Sequence, residues 1–229
     1  MALTDNLIAY YKLDWNSTDS LWTYNGTDTS ITYVSWKIWS WASGNGTSSF
    51  ISAWTPIDGW VFSVSFWLKM NVEIASWQCH FFSQRNNTSK TGYFISYEYN
   101  WWTRRVWFAR QKPNVSSDIV YSSQTLWTTN WNHYWLTYDW TTVTWYFNWT
   151  SIGTVASTGS GSWTFSTWIN LLRDIESWTV NANAIIDEVA QYSRALSWSE
   201  ITQLYNGWAW LTYPFTTTTS NPAFLLNFL

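Results

Sequence analysis

Residues Trp131–Thr150, WNHYWLTYDWTTVTWYFNWT, decide how the rest of the chain is read. Tyr134, Leu136 and Tyr138 alternate with more polar neighbours, a short turn follows at Asp139, and Val143 to Phe147 resumes a β-rich run. This pattern predicts an antiparallel hairpin. Its turns are anomalous. Asn148-Trp149-Thr150 stands where the chain elsewhere has Asn25-Gly26-Thr27 and Asn45-Gly46-Thr47, and Asp139-Trp140 stands where a hairpin favours Asp-Gly. Such turns need positive φ, which glycine adopts without steric penalty and tryptophan does not.

Composition carries the same anomaly. The chain has 24 Trp and 9 Gly in 229 residues, whereas glycine is ordinarily about 7% of a protein. Two readings account for this. In one, a UGA codon is read as glycine by the source organism and appears here as tryptophan. In the other, a Trp-rich lectin uses indole rings as sugar platforms. The tryptophans follow Asn, Asp and Ser at turn positions rather than clustering on one face, which favours the first. Trp67, at the apolar centre of a strand, is expected to be a true core residue.

The length suits one large β-sandwich with a short appendage, residues 1–213 forming the domain and 214–229 a Thr-rich linker and tail. Formal charge is −3 with 11% charged residues, so no basic surface for nucleic acid is expected. The lone cysteine, Cys79, excludes an internal disulfide framework and reads as a small buried hydrophobe. The opening MALTDNLIAYYKLD lacks the basic start and long apolar core of a signal peptide, so none is expected in it. No apolar run approaches the roughly 20 residues that span a bilayer, and the closing AFLLNFL is too short. Membrane insertion is therefore not expected.

Strands are predicted at Leu7 to Leu13, Ile31 to Ile38, Ser49 to Ala53, Val61 to Met70, His80 to Gln84, Gly92 to Tyr99, Val106 to Gln111 and Ile119 to Tyr121. The hairpin, then Phe165 to Leu172 and Ala184 to Tyr192, complete about a dozen, with turns at Gly44-Asn45-Gly46 and Asn100-Trp101-Trp102 and a stop at Pro113. Thr154 to Gly161 reads as a polar connection. One helix is marked: Ser197 caps it, Glu200 completes a capping box, Leu196 staples against Ile201, Ile201, Leu204 and Tyr205 share a face, and Gly207 stops it. Many short strands with one helix predict an all-β, two-sheet antiparallel sandwich or barrel.

Four segments resemble the laminin-G-like, concanavalin A-like lectin and glucanase superfamily in its bacterial and phage jelly-roll branch: Ile8 to Asp14, Phe62 to Leu68, Trp131 to Asp139, and Ile186 to Leu196 running into the helix. They span residues 1 to about 210 in order, and the Asp-Glu strand followed by Arg194-Ala195-Leu196 and a capped helix is the most specific. The departures fall at glycine positions, here Trp15, Trp36, Trp39, Trp140, Trp149 and Trp198. The resemblance implies an all-β jelly-roll sandwich of two antiparallel sheets with one short C-terminal helix, whose concave face or edge loops bind glycans or protein partners. It also implies a structural calcium between the acid ending the first strand and the Asp of the closing strand, here Asp14 and Asp187. Otherwise Asp14 caps a turn and Asp187 pairs with Arg194 or a backbone amide.

Catalytic patterns are thin. Asp174-Ile175-Glu176 has the step that puts two acids on one strand face, but it reads as solvated loop acids and lacks a third acid. Asp187 and Glu188 are adjacent, so a strand points them to opposite faces. His133 has no nucleophile motif near it in sequence and reads as a satisfied strand histidine. The Asn-x-Ser/Thr triplets at Asn16, Asn25, Asn45, Asn87, Asn114 and Asn148 are expected from composition alone. The leading expectation is a non-enzymatic module binding carbohydrate or a surface ligand, as part of a virion or an extracellular, cell-surface protein. The alternatives are an assembly domain that binds its virion neighbours and no glycan, and a degenerate hydrolase.

Overall fold

The computed structural model describes residues 2–36, 39–57, 61–72, 78–86, 89, 91–100, 103–111, 118–122, 128–157, 165–174, 180–206 and 211–215. In chain order the strands are β1 (Leu7–Tyr11), β2 (Gly26–Thr29), β3 (Thr32–Trp36), β4 (Trp39–Ser43), β5 (Phe50–Trp54), β6 (Phe62–Met70), β7 (Gln78–Asn86) and β8 (Thr91–Asn100). They continue as β9 (Thr103–Gln111), β10 (Asp118–Tyr121), β11 (Asn132–Tyr138), β12 (Thr142–Phe147), β13 (Thr150–Ala156), β14 (Trp168–Leu171), β15 (Val180–Asn181) and β16 (Ala184–Tyr192), before helix α1 (Trp198–Tyr205).

They form an all-β, two-sheet antiparallel sandwich. The first sheet runs β13-β12-β11-β6-β16-β4-β3, with β1 also on β16; the second runs β10-β9-β8-β7-β14-β5-β2, with β15 joining β7 in parallel. The predicted hairpin is β11–β12, in register from Tyr134↔Phe147 to Tyr138↔Val143. β11 and β6 are buried along almost their whole length. One face of each meets the second sheet, and the first sheet's outer face is covered by α1, which is why these strands are more apolar than strict alternation allows.

Phe62, Phe66 and Tyr134 on the first sheet meet Tyr93, Phe82 and Phe81 on the second, with ring centroids 4.2, 6.1 and 5.4 Å apart. These rings, with Ile95, Phe108, Leu136 and Ile169, make the main core. A second cluster of Tyr10, Trp135, Tyr192, Leu196, Ile201 and Leu204 lies under α1. Tyr213 and Phe215 add to it, their rings 5.6 and 5.4 Å from Tyr10, so chain beyond residue 213 packs on the body. The rest of the 214–229 segment, from 216 onward, lies outside the described residues.

The helix begins as its sequence dictates. Ser197 Oγ accepts from the Glu200 amide, Glu200 accepts from the Ser197 amide, and Leu196 and Ile201 share the cluster beneath it. Asn206, at φ 48°, is the left-handed C-cap; Gly207 lies outside the described residues, as do Trp101-Trp102, Pro113, Asn87, Asn114 and Gly161. Residues 150–156, whose end the sequence predicts as part of a polar connection, form the edge strand β13. Its sequence, TSIGTVA, carries β-branched residues but almost no buried side chain, so no apolar signal announces it. β2, β4 and the two-residue β15 also escaped the pattern.

The backbone separates the tryptophans. Trp15, Trp22 and Trp140 have φ of 116°, 60° and 85°, and are 64%, 79% and 43% exposed. Trp149 does not share this conformation; its neighbour Asn148 does, at φ 56°. Trp198 is the first residue of α1, and Trp36 and Trp39 are register partners in the β3–β4 ladder. Trp67, Trp135 and Trp145 are fully buried.

Candidate functional site

Two places gather chemistry-bearing side chains. The first lies where β1 leaves the sheet beside β16. Asp14 follows β1 in a turn flanked by left-handed Leu13 and Trp15, and its Oδ1 accepts from the Ser40 amide at 3.5 Å. Asp187 is buried opposite Trp67 in the β16–β6 register, and its Oδ1 has no hydrogen-bond partner. Ser40, which donates to Asp14, lies on β4 two residues from Ala42, the register partner of Ile186, so Asp14 and Asp187 share one region of the first sheet. Burial first, then the charges of Glu188 and Asp14, hold the Asp187 carboxyl well above the usual carboxylate range.

Adjacent Glu188 departs from the expected alternation. It sits at φ 52° in a bulge between Asp187 and Ala190, and its Oε2 accepts from the Tyr10 hydroxyl in the cluster beneath α1. A bulge inserts one residue into the ladder and re-aims side chains, so the opposite-face expectation fails here. Burial, with Asp14's charge adding to it, raises the Glu188 carboxyl to about 8 against the lowering effect of Tyr10. Arg194, the alternative partner weighed for Asp187, pairs instead with Glu200 at 2.8 Å and donates to the Asp5 and Ala2 carbonyls. Among the described residues no three His, Cys, Asp or Glu side chains form a cage by themselves.

The second place is the outer face of the second sheet. Because Tyr93, Ile95 and Tyr97 of β8 point into the core, Phe94, Ser96 and Glu98 point away from it. Ser96 Oγ lies 2.6 Å from His80 Nδ1, His80 Nε2 lies 3.0 Å from Gln78 Nε2 and 3.8 Å from Asp174 Oδ2, and Arg85 is ion-paired to Asp174. All but Gln78 are buried. Burial, then the Arg85 charge, lowers the His80 imidazole to about 3, so it stays neutral. Alongside, Trp107 stacks at 5.8 Å on Tyr121, which also carries the Arg105 guanidinium 3.9 Å from its ring, while Arg105 pairs with Glu98 at 3.1 Å. Asp174 is thus a buried ion-pair partner rather than a solvated loop acid; Glu176 lies outside the described residues.

His133 is packed rather than hydrogen-bonded through its ring. It stacks 4.9 Å from Trp67, its Nδ1 has no partner, and burial lowers it to about 3. Cys79 is a core residue whose thiol burial pushes up to about 12, as its small-hydrophobe reading requires. The His80, Ser96, Arg85 and Asp174 network was not found in the sequence. Its members come from β7, β8 and the end of β14, and only the inward alternation of each strand hinted at which residues share the outer face.

The structure is similar to the binding domain of a paraclostridial mosquitocidal protein, at 17% identity and a TM-score of 0.71, covering 90% of this chain and 53% of that one. It is similar to domain 4 of AbnA, an extracellular arabinanase from Geobacillus stearothermophilus solved with arabinotriose, at 22% identity and a TM-score of 0.69, covering 87% of this chain and 98% of that one. It is also similar to the binding domain of botulinum neurotoxin DC solved with rat synaptotagmin II, at 16% identity and a TM-score of 0.71, covering 90% and 52%. The chain spans about half the length of those toxin binding domains. At these identities the likeness is one of fold. No curated protein matches the sequence. Residues 42–202, well over half of the chain, match the model of the concanavalin A-like lectin/glucanase superfamily, and the chain belongs to that family.

Proposed function

We propose that this domain is a non-catalytic recognition module that binds a glycan or a surface protein through the outer face of its second sheet, as part of a virion or of an extracellular, cell-surface protein. The observation that carries the reading is that face itself. A network of His80, Ser96, Arg85 and Asp174 is fixed beneath it, and aromatic side chains stand beside that network. The network is buried and holds the face rigid, and the exposed ring of Tyr121 beside it offers contact surface on a fixed support. Hydrolysis of a glycosidic bond takes two carboxylates placed across a cleft. Glu98 and Asp174, the carboxylates found on this face among the described residues, each carry an arginine instead. The structures solved with arabinotriose and with synaptotagmin II support the breadth of ligand class. The test is an array of glycans and surface proteins probed with the folded domain: binding without turnover is expected, and no binding on any array would move the balance to an assembly role.

Calcium at Asp14 and Asp187 belongs to the same proposal. The donors fit a hard cation: Asp187 has a buried oxygen with no partner, Asp14 lies in the same region of the sheet, and both carboxyls are raised by burial. Calcium takes six to eight oxygens, so backbone carbonyls of the Asp14 turn would complete the set. Bound there, the ion would neutralise the repelling acids and tie the end of β1 to β16. A calcium-dependent rise in melting temperature that Asp187→Ala abolishes tests it.

The left-handed tryptophans support one further part of the reading, that glycine is the residue the gene specifies at positions 15, 22 and 140. Their φ values lie where L side chains are strained, and their rings are largely exposed. Backbone conformation does not ask for glycine at Trp149. Peptide mass spectrometry of the protein from its source reads these positions directly.

A further inference from the structure

The outer face of the second sheet continues past the network into a row with a distinct composition. Trp54 of β5 and Trp168 of β14 are register partners on that face, 40% and 48% exposed, and Tyr24 packs 4.9 Å from Trp54. Directly opposed residues on an antiparallel pair have Cβ atoms about 5 Å apart, so the two indoles rise side by side from one rung of that face. The next outward pair is Ser52 and Asn170, where Ser52 Oγ donates to Asn170 Oδ1 at 2.8 Å. Arg173 donates to the same Asn170 oxygen at 3.3 Å and lies 3.6 Å from the ring of Phe50. Asn170 is itself buried, so these two bonds to its oxygen hold the Ser52 hydroxyl and the Arg173 guanidinium in place.

Arg173 is set apart by charge. Arg85, Arg105, Arg110 and Arg194 are paired with Asp174, Glu98, Asp118 and Glu200. Among the described residues Arg173 has no carboxylate within ion-pair distance, and its buried Nε has no partner. The row therefore holds two exposed indoles, a hydroxyl fixed by a buried amide, and a guanidinium that makes no ion pair among the described residues, the charge of neighbouring Asp174 acting on it from farther off. From the Trp54 rung to the Phe50 rung is four residues, about 13 Å at the usual strand rise.

We infer that this row is a subsite for a carboxylate-bearing oligosaccharide, an assignment that rests on the recognition role proposed above. The apolar face of one sugar ring lies on Trp54 or Trp168, a hydroxyl of the chain donates to Ser52 Oγ, and the carboxylate of a further sugar meets Arg173. The length of the row selects an oligosaccharide over a single sugar. Stacking supplies aromatic contact that water cannot replace, and the planar guanidinium suits a carboxylate. Neither indole sits in a left-handed conformation, and glycine at either strand position would weaken the ladder, so these two differ from the tryptophans of the turns.

Titration calorimetry on the folded domain tests this, with a uronic-acid oligosaccharide, a sialylated oligosaccharide, and the carboxyl-reduced form of each. At least one acidic probe is expected to bind about tenfold or more tightly than its reduced form, and less tightly at high salt. Trp54→Ala and Trp168→Ala are each expected to weaken both forms about tenfold or more, in the range of buried aromatic anchors. Arg173→Gln is expected to remove the preference for the acidic form, and Arg173→Lys to retain part of it. Both indoles are exposed, so melting temperatures of the tryptophan variants should match the parent and exclude misfolding as the cause. Equal affinity for acidic and reduced probes overturns the role of Arg173. Unchanged binding in both tryptophan variants overturns the platform; if the parent still binds glycans, the subsite lies elsewhere and the recognition role stands. Absence of binding to any glycan or surface protein overturns that role as well.

Discussion

Replacing Trp15, Trp22 and Trp140 together with glycine should stabilise the domain. Each holds a bulky L side chain at positive φ, at 116°, 60° and 85°. A left-handed conformation costs an L residue roughly 1–2 kcal/mol that glycine does not incur. Glycine gives part of this back by widening the unfolded ensemble, so about 1 kcal/mol per site is the net expectation. The rings are 64%, 79% and 43% exposed, so little apolar contact is lost; Trp140 loses the most. The triple variant should gain about 3 kcal/mol, a large fraction of the roughly 5–15 kcal/mol total of a native domain. For a chain of this size that is a rise of about 6–12 °C in melting temperature. Circular dichroism melts of parent and variant measure it. Trp145→Gly is the control with the opposite sign: Trp145 is fully buried in β12, and its loss should cost at least about 3–5 kcal/mol. A triple variant that melts at or below the parent temperature refutes the strain argument.

Other outcomes follow from the same geometry. His80 and His133 are neutral in the fold, each lowered to about 3 by burial, while in the unfolded chain they titrate near 6.5. Their contribution is complete above about pH 6.5 and is lost as pH falls toward 3, because only the unfolded state takes up the protons. Denaturant titrations across that window should show a slope smaller by about 1.4 kcal/mol per pH unit in His133→Phe than in the parent; parallel profiles contradict the burial. Gly92 adopts φ +140° with Gln84 O in the space a Cβ would fill, so Gly92→Ala should lose more than about 3 kcal/mol, read by denaturant melts. Ser197→Ala removes the acceptor for the Glu200 amide and should cost about 1 kcal/mol; an unchanged midpoint would show that the cap contributes nothing.

The strands with inward apolar alternation and the capped helix were legible because their periodicity reports burial directly. β11–β12, β6, β16 and the Ser197-to-Glu200 box lie where the residues place them. β13 was not legible, since an exposed edge strand has no apolar face to announce it. The metal candidates Asp14 and Asp187 come to one region of the first sheet, and the bulge that turns neighbouring Glu188 toward Tyr10 is a backbone event with no residue signature. The outer-face residues were harder still. Ser96 and His80, or Trp54 and Trp168, become neighbours only through strand order, and β14 sits between β7 and β5 although more than eighty residues separate it from either in the chain.

Chemical-shift mapping of the domain, titrated with a glycan that it binds, tests the central claim most directly. Recognition through the second sheet predicts shifts concentrated on outward residues of β5, β14, β7, β8 and β9, among them Ser52, Trp54, Trp168, Asn170 and Trp107. Shifts confined to the first sheet and α1 would contradict it.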